Sequence, residues 1–167
     1  TLSSSSAASD VYKRQAAFDA GGKIDDDGKL LYRLSGLART QHSDVDGVRD
    51  ERVALAPAFT WLPNSDTRFT LLTSYQNEPE AGYRNFLPAM GLVYGGSNGY
   101  GHIPRSFNGS DPDYDKSWRE QGSVGYELEH RLNSTFTLRQ NLRYSTISQR
   151  YRKLVFGVLL PDQATFT

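Results

Sequence analysis

The chain has 167 residues, with 19 Lys and Arg against 19 Asp and Glu, no cysteine and a mean hydropathy of −0.60. These values fit one domain of ordinary size and exclude a disulfide framework, a thiolate metal site and the basic excess that nucleic acid attracts. No stretch approaches about 18 consecutive apolar residues, which excludes a membrane-spanning helix but not a β-barrel, whose strands carry polar residues at every second position. Ten tyrosines and eight phenylalanines favour β-structure.

Residues 1–15, TLSSSSAASDVYKRQ, have no initiator Met, no basic n-region and no apolar h-region. They resemble the translated adapter strings at the ends of assembled sequence fragments and are set aside from fold reasoning; a natural linker is the alternative. The other end, PDQATFT, carries no closing signal, so the whole reads as an internal fragment. A first strand is expected at Ala16–Ile24, followed by a tight turn at Asp25–Lys29, where Asp tolerates turn conformations and Gly28 supplies positive φ. Leu30–Thr40 then places Leu30, Tyr32, Leu34, Gly36 and Ala38 on one face, against Arg33, Ser35 and Arg39, with Leu37 an exception. A polar loop follows at Gln41–Asp50.

The clearest pattern lies in residues 51–77. Along Arg52–Trp61, Val53, Leu55, Pro57, Phe59 and Trp61 share a face opposite Arg52, Ala54, Ala56, Ala58 and Thr60. After a short turn at 62–66, Thr67–Gln76 sets Phe69, Leu71, Thr73 and Tyr75 against Arg68, Thr70, Leu72, Ser74 and Gln76. A period of two is the mark of strands with one apolar face, and roughly ten residues is what a tilted strand needs to cross a bilayer. Trp61 ends the apolar row beside the turn, where an interfacial aromatic girdle sits. Residues 78–117 show no sustained period and read as a long loop, of the kind that is usually functional or disordered. Trp118–His130 alternates again, with Val124, Tyr126 and Leu128 against Arg119, Gln121, Ser123, Glu127 and Glu129. Beyond a turn at Arg131–Ser134, Thr135–Ile147 sets Phe136, Leu138, Leu142 and Tyr144 opposite Arg139, Asn141, Arg143 and Ser145. Leu154–Leu160 is apolar and ambiguous.

Connection lengths alternate short and long along the chain, as periplasmic turns and extracellular loops do in an outer-membrane barrel. The expected fold is all-β, a fragment of an antiparallel up-and-down transmembrane barrel with about six strands and two open sheet edges. A soluble antiparallel sandwich is the alternative on pattern alone.

Across residues 31–144 the strings LYRLSGLAR, RVALAPAFTWLPNSDTRFTLLTSYQNEPEAGY, FLP and LNSTFTLRQNLRYS occur in order. In these strings the chain resembles the TonB-dependent siderophore receptors of the ferrichrome type, over about residues 18–147. The resemblance implies an outer membrane protein of a Gram-negative bacterium, a 22-stranded barrel whose N-terminal plug is missing here, and import of a ferric siderophore powered through TonB. It implies no enzyme and no resident cofactor, iron arriving with the siderophore, and as partners the siderophore, the TonB complex reached through the plug, and outer-membrane lipid. Residues 16–167 would be part of that barrel. The resemblance also points to Tyr83, Arg84 and Phe86 as ligand contacts: aromatic residues at the positions of Arg84 and Phe86 reach over a hydroxamate siderophore in the ferrichrome-type receptors. Phe86 keeps that character and Tyr83 matches its family neighbour, whereas Arg84 departs from it and suits a ligand carrying carboxylates. These side chains packing the loop onto the barrel mouth is the plainer reading. Lumen-facing Arg33, Arg39, Arg52, Arg68, Arg139 and Arg143 would contact the plug or line a hydrated interior.

Other motif-like strings carry less. Gly95-Gly96-Ser97-Asn98-Gly99 has the G-x-S-x-G form of a hydrolase elbow but reads as a turn. Asp111, Asp113 and Asp115 have the opening spacing of a calcium loop, yet Lys116 stands where its Gly belongs and Gly122 where its Glu belongs. His42, His102 and His130 have no ligand spacing. Tyr94, Tyr100 and His102 are further loop positions, expected to be structural. A passive porin-like channel and a soluble β-rich carbohydrate-binding domain are the rival functions.

Overall fold

A computed structural model describes residues 2–5, 13–82, 87–94, 101–111, 113–155, 157, 160 and 161. Seven strands form one sheet in sequence order: β1 (Leu2–Ser5), β2 (Lys13–Lys23), β3 (Leu30–His42), β4 (Arg49–Asn64), β5 (Thr67–Ala81), β6 (Lys116–Arg131) and β7 (Thr137–Arg152). A single-turn helix, α1 (Ala89–Leu92), interrupts the connection between β5 and β6. Every pairing is antiparallel and joins neighbours in sequence, the up-and-down meander that the alternating pattern predicts.

Six of the strands are the expected ones and all are longer than expected, though β2 ends one residue earlier, at Lys23, and β7 begins two residues later, at Thr137. The short β1 is additional: Leu2–Ser5 pair with Ala17–Ala20, and β2 itself begins at Lys13, so part of the N-terminal stretch set aside above lies in the sheet. An open edge of backbone N–H and C=O groups accepts an extended segment whatever its side-chain period. The largest revision concerns the long loop. β5 runs on through Glu78, Pro79 and Glu80 to Ala81, and β6 starts at Lys116, which shortens the connection to residues 82–115. β7 likewise continues to Arg152, past the expected end at Ile147.

Register carries the two faces across strands. Leu30, Trp61, Phe69, Leu128 and Gln140 follow one another along one row, and Tyr32, Phe59, Leu71, Tyr126 and Leu142 along the next. On this face Val53, Leu55, Phe59 and Trp61 are 41–51% exposed, while Val48, in a loop, is the buried hydrophobic among the described residues. The described residues form a single layer whose apolar side faces outward, not two sheets enclosing a core as a sandwich requires. From Trp61 to Val53 the apolar row climbs about 26 Å along the strand, or roughly 20 Å at a barrel tilt near 40°, close to the height of a barrel's lipid-facing band. β4 has 16 residues, so its far end rises beyond that band.

Three short connections lie at one end, at 24–29, 65–66 and 132–136, and two others, 43–48 and 82–115, at the opposite end. Turn chemistry explains the tight ones. The Asp25 carboxylate accepts hydrogen bonds from the Lys29 and Leu30 N–H groups, at 3.1 and 2.9 Å, and Gly28 takes the φ of 70° that closes the turn. Asn133 Oδ1 accepts from the Thr135 and Phe136 N–H groups, each at 2.9 Å. Adjacent turns are stitched together, with Leu62 N–H donating to the Lys29 carbonyl and Arg131 N–H to that of Asp66.

Two glycines let side or main chains approach closely. A Cβ on Gly36 would fall 2.3 Å from Phe18 Cε1, so the Phe18 ring lies across the bare backbone of β3. A Cβ on Gly125 would fall 2.5 Å from the Leu142 carbonyl oxygen.

Candidate functional site

The long-loop end of the polar face concentrates buried charge. On β3 and β4, Arg39 and Arg52 stand directly opposite one another, an unfavourable pairing unless counter-charges intervene. Asp50 meets Arg39 Nη2 at 2.8 Å. Glu78 of β5 takes Arg52 on one carboxylate oxygen and Arg119 of β6 on the other. Gln76 Nε2 adds a hydrogen bond to Glu78 Oε1 at 3.0 Å. With 1% exposure, Glu78 is the most buried large side chain among the described residues. A carboxylate so far from solvent is tolerable because its lone pairs are satisfied by charged donors, and breaking such a pair costs about 3–5 kcal/mol. All six arginines expected on the inner face lie on the polar side of the register, and Arg119 joins them.

Glu78 sits where the strand changes register. Pairing between β4 and β5 moves from Val53 with Asn77 to Glu51 with Glu80, so β5 holds one extra residue in the Glu78–Pro79 step. A bulge suits Pro79, which has no N–H for a ladder. Sequence reasoning ended this strand at Gln76 because Asn77-Glu78-Pro79-Glu80 is polar and carries a proline. The available signal was that Arg52 and Arg119 both occupy inner positions and need a shared acid.

Beyond the bulge β5 ends at Ala81, and Gly82 follows with a φ of 62°, which a side chain rarely adopts. Tyr83, Arg84 and Phe86, the ligand contacts expected from the resemblance, come next and lie outside the described residues. The chain is described again from Leu87 into α1, where Ile103 N–H donates to the Gly91 carbonyl at 2.7 Å. Asp46 N–H donates to the Ser106 carbonyl and Asn108 Nδ2 to that of Asp46, both at 2.8 Å, tying this connection to the one between β3 and β4. At the loop's end Asp115 Oδ1 accepts from Leu154 N–H at 2.9 Å, and the Arg152 guanidinium lies 5.2 Å from the Tyr114 ring centroid. Burial pushes the Lys153 ammonium below its usual range, against the attraction of Asp115. The cleft between these segments, lined by Arg49, Glu80, Asn108, Asp115 and Arg152 among others, holds about 110 Å³, well short of the roughly 300 Å³ where ligand pockets begin.

Among the described residues no group of His, Cys, Asp and Glu is placed to hold a metal ion. Of the aspartates with calcium-loop spacing, two bond the backbone instead: Asp111 Oδ1 accepts from Asp113 N–H at 2.9 Å, and Asp115 Oδ1 accepts from Leu154 N–H as above. His130 Nδ1 lies 2.9 Å from Thr67 Oγ1 at the short-loop end, while Tyr94 and His102 are exposed on the long connection. Gly95–Gly99 and Tyr100 lie outside the described residues. The run 154–160 forms no strand among its described residues.

No protein-family model matches the chain. It is 45% identical over 131 residues to the ferrichrome outer membrane transporter/phage receptor of Escherichia coli K12, covering 78% of this chain and 17% of that protein. It is 38% identical over 134 residues to the ferrioxamine B receptor of Salmonella typhimurium, covering 79% and 18%. The chain thus spans about a fifth of the length of these relatives, which are named as transporters and receptors, not enzymes. Among solved structures it superposes on the ferric-catecholate import receptor Fiu of E. coli K12 with a TM-score of 0.69 at 20% identity, over 83% of this chain and 22% of that one. On the ferripyoverdine receptor of the Pseudomonas aeruginosa outer membrane the TM-score is 0.65 at 19% identity, over 80% and 17%. A meander with its apolar side outward, overlaid on such barrels and joined by this identity to ferrichrome and ferrioxamine receptors, places the chain in the TonB-dependent outer-membrane siderophore receptor family, as a stretch of the β-barrel.

Proposed function

We propose that the protein containing this chain binds a ferric siderophore of hydroxamate type at the outer surface and imports it with energy delivered by TonB through an N-terminal plug. Residues 16–167 contribute part of the barrel, outer-membrane lipid contacts its apolar face, and iron arrives as cargo within the siderophore. The observation that carries this reading is the 45% identity to the ferrichrome transporter over 131 residues. Tyr83 and Phe86 supply aromatic surface to the compact, apolar-rimmed iron complex, and Arg84 supplies a cation that favours a ligand bearing carboxylates. The inner arginines face the plug.

The test is uptake of radioactive iron by an iron-starved host that lacks its own receptors and expresses the full-length parent gene. Iron is presented as ferrichrome and as a carboxylate-bearing hydroxamate. Uptake that requires TonB and falls in Phe86→Ala or Arg84→Ala is the expected result. Uptake indifferent to both substitutions removes these residues from the site. Passage that needs no TonB belongs to a passive channel and overturns the proposal.

A further inference from the structure

We infer that Arg39, Arg52 and Arg119 form a seat on the inner wall for one free carboxylate of the bound siderophore. This rests on the reading above that the protein binds a ferric siderophore, and it narrows the ligand to one that carries a carboxylate outside its iron-binding groups. The three arginines, on β3, β4 and β6, lie on the polar face at the long-loop end, with Asp50 and Glu78 as the acids that pair with them. Across β3 to β6, three guanidiniums at this end thus meet two carboxylates, an excess of one positive charge. The pairing leaves Arg39 Nε and Arg52 Nε without a hydrogen-bond partner, so neither guanidinium is fully engaged by its acid. The arginine side chains are 20%, 30% and 34% exposed in that order, which keeps each of them open to an incoming group.

The wall beside them supplies room and no further charge. In the next inner row Leu37, Ala54, Gln76 and Gln121 follow one another across the register, and in the row after that Ser35 pairs with Ala56 and Ser74 with Ser123. Ala54 and Ala56 each carry a single methyl group, which leaves the surface recessed beside Arg52. A guanidinium holds a carboxylate through two parallel N–H donors, and two cations directly opposed on adjacent strands, as Arg39 and Arg52 are, gain from an anion placed between them. One carboxylate cancels the excess charge, whereas a phosphate, near two negative charges at neutral pH, reverses it.

The experiment uses the full-length receptor in detergent, with affinity measured by quenching of intrinsic fluorescence. The probes are a ferric trihydroxamate bearing one free carboxylate, its methyl ester, and ferrichrome. Arg39→Gln and Arg52→Gln each remove one cation, while Ala54→Asp leaves every wall pair in place and sets a carboxylate of the protein beside the seat. Heat-modifiable migration verifies that each barrel folds, and the ester reports on the rest of the site. The expected result is a preference for acid over ester of roughly tenfold in wild type, abolished in all three variants, with ester affinity held within about twofold. Equal affinity for acid and ester in wild type, the outcome if a carboxylate from inside the protein already filled the seat, overturns the inference. A preference that survives in both arginine variants overturns it as well. In either case binding of ferrichrome or the ester leaves the receptor reading standing; a receptor that binds no ferric siderophore removes both.

Discussion

Replacing Leu55 with arginine asks the central structural question directly, whether the apolar face meets lipid. Leu55 is 41% exposed on that face and lies six residues along β4 from Trp61. That separation is about 20 Å along the strand, or roughly 15 Å above the aromatic rim at a tilt near 40°, within a few ångströms of the middle of a band about 25 Å tall. An arginine at the midplane of an outer-membrane barrel costs about 2–4 kcal/mol, falling to at most about 1 kcal/mol near either interface. The neighbouring Ala54 points to the polar side and serves as the internal control. The full-length receptor is refolded into phospholipid vesicles and titrated with guanidinium, with tryptophan fluorescence as the signal. Leu55→Arg is expected to lose 2–4 kcal/mol, and Ala54→Arg less. Equal stability of Leu55→Arg and wild type in vesicles refutes the assignment of this face to lipid.

Close backbone approach gives a second prediction: Gly125→Ala, whose new Cβ meets the Leu142 carbonyl oxygen, is destabilising by about 1–3 kcal/mol in the same titration. Gly122→Ala, with its nearest atoms at 3.8 Å, is expected to be near neutral there. For Gly36→Ala the obstructing group is the Phe18 ring, so its cost is smaller in a Phe18→Ala background, and a double-mutant cycle measures the coupling. At the first turn, the Leu30 N–H hydrogen bond, with that of Lys29, holds the Asp25 carboxyl below its usual range. A depressed carboxylate stabilises the fold above its unfolded value of 3.8 and loses that contribution as pH falls through the depressed value. Amide hydrogen exchange at Lys29 and Leu30 is therefore expected to accelerate as pH falls from 3.8 through the depressed value, and Asp25→Asn to remove the acid step. Exchange that is independent of pH after correction for intrinsic rates refutes it.

Sequence alone determined what local chemistry controls. Side chains alternate across a strand by geometry, so the rows Val53–Trp61 and Phe69–Tyr75 declared both the strands and their faces before any pairing was known. The turns at Asp25–Gly28 and Asn133 were legible because a short polar side chain bonds its own backbone. The family was legible in strings such as APAFTW and QNEPE, carried by the same strands. Tertiary structure decided whatever depends on a neighbour distant in sequence. The last residues of β5 read as loop in isolation, since Glu78 is a stable strand residue only when Arg52 and Arg119 bring their charges to it. Gly36 and Gly125 look like weak strand residues until the register sets Phe18 over one and the Leu142 carbonyl against the other. Even the N-terminal β1 follows from an open backbone edge, which recruits a partner by hydrogen bonding and not by side-chain pattern.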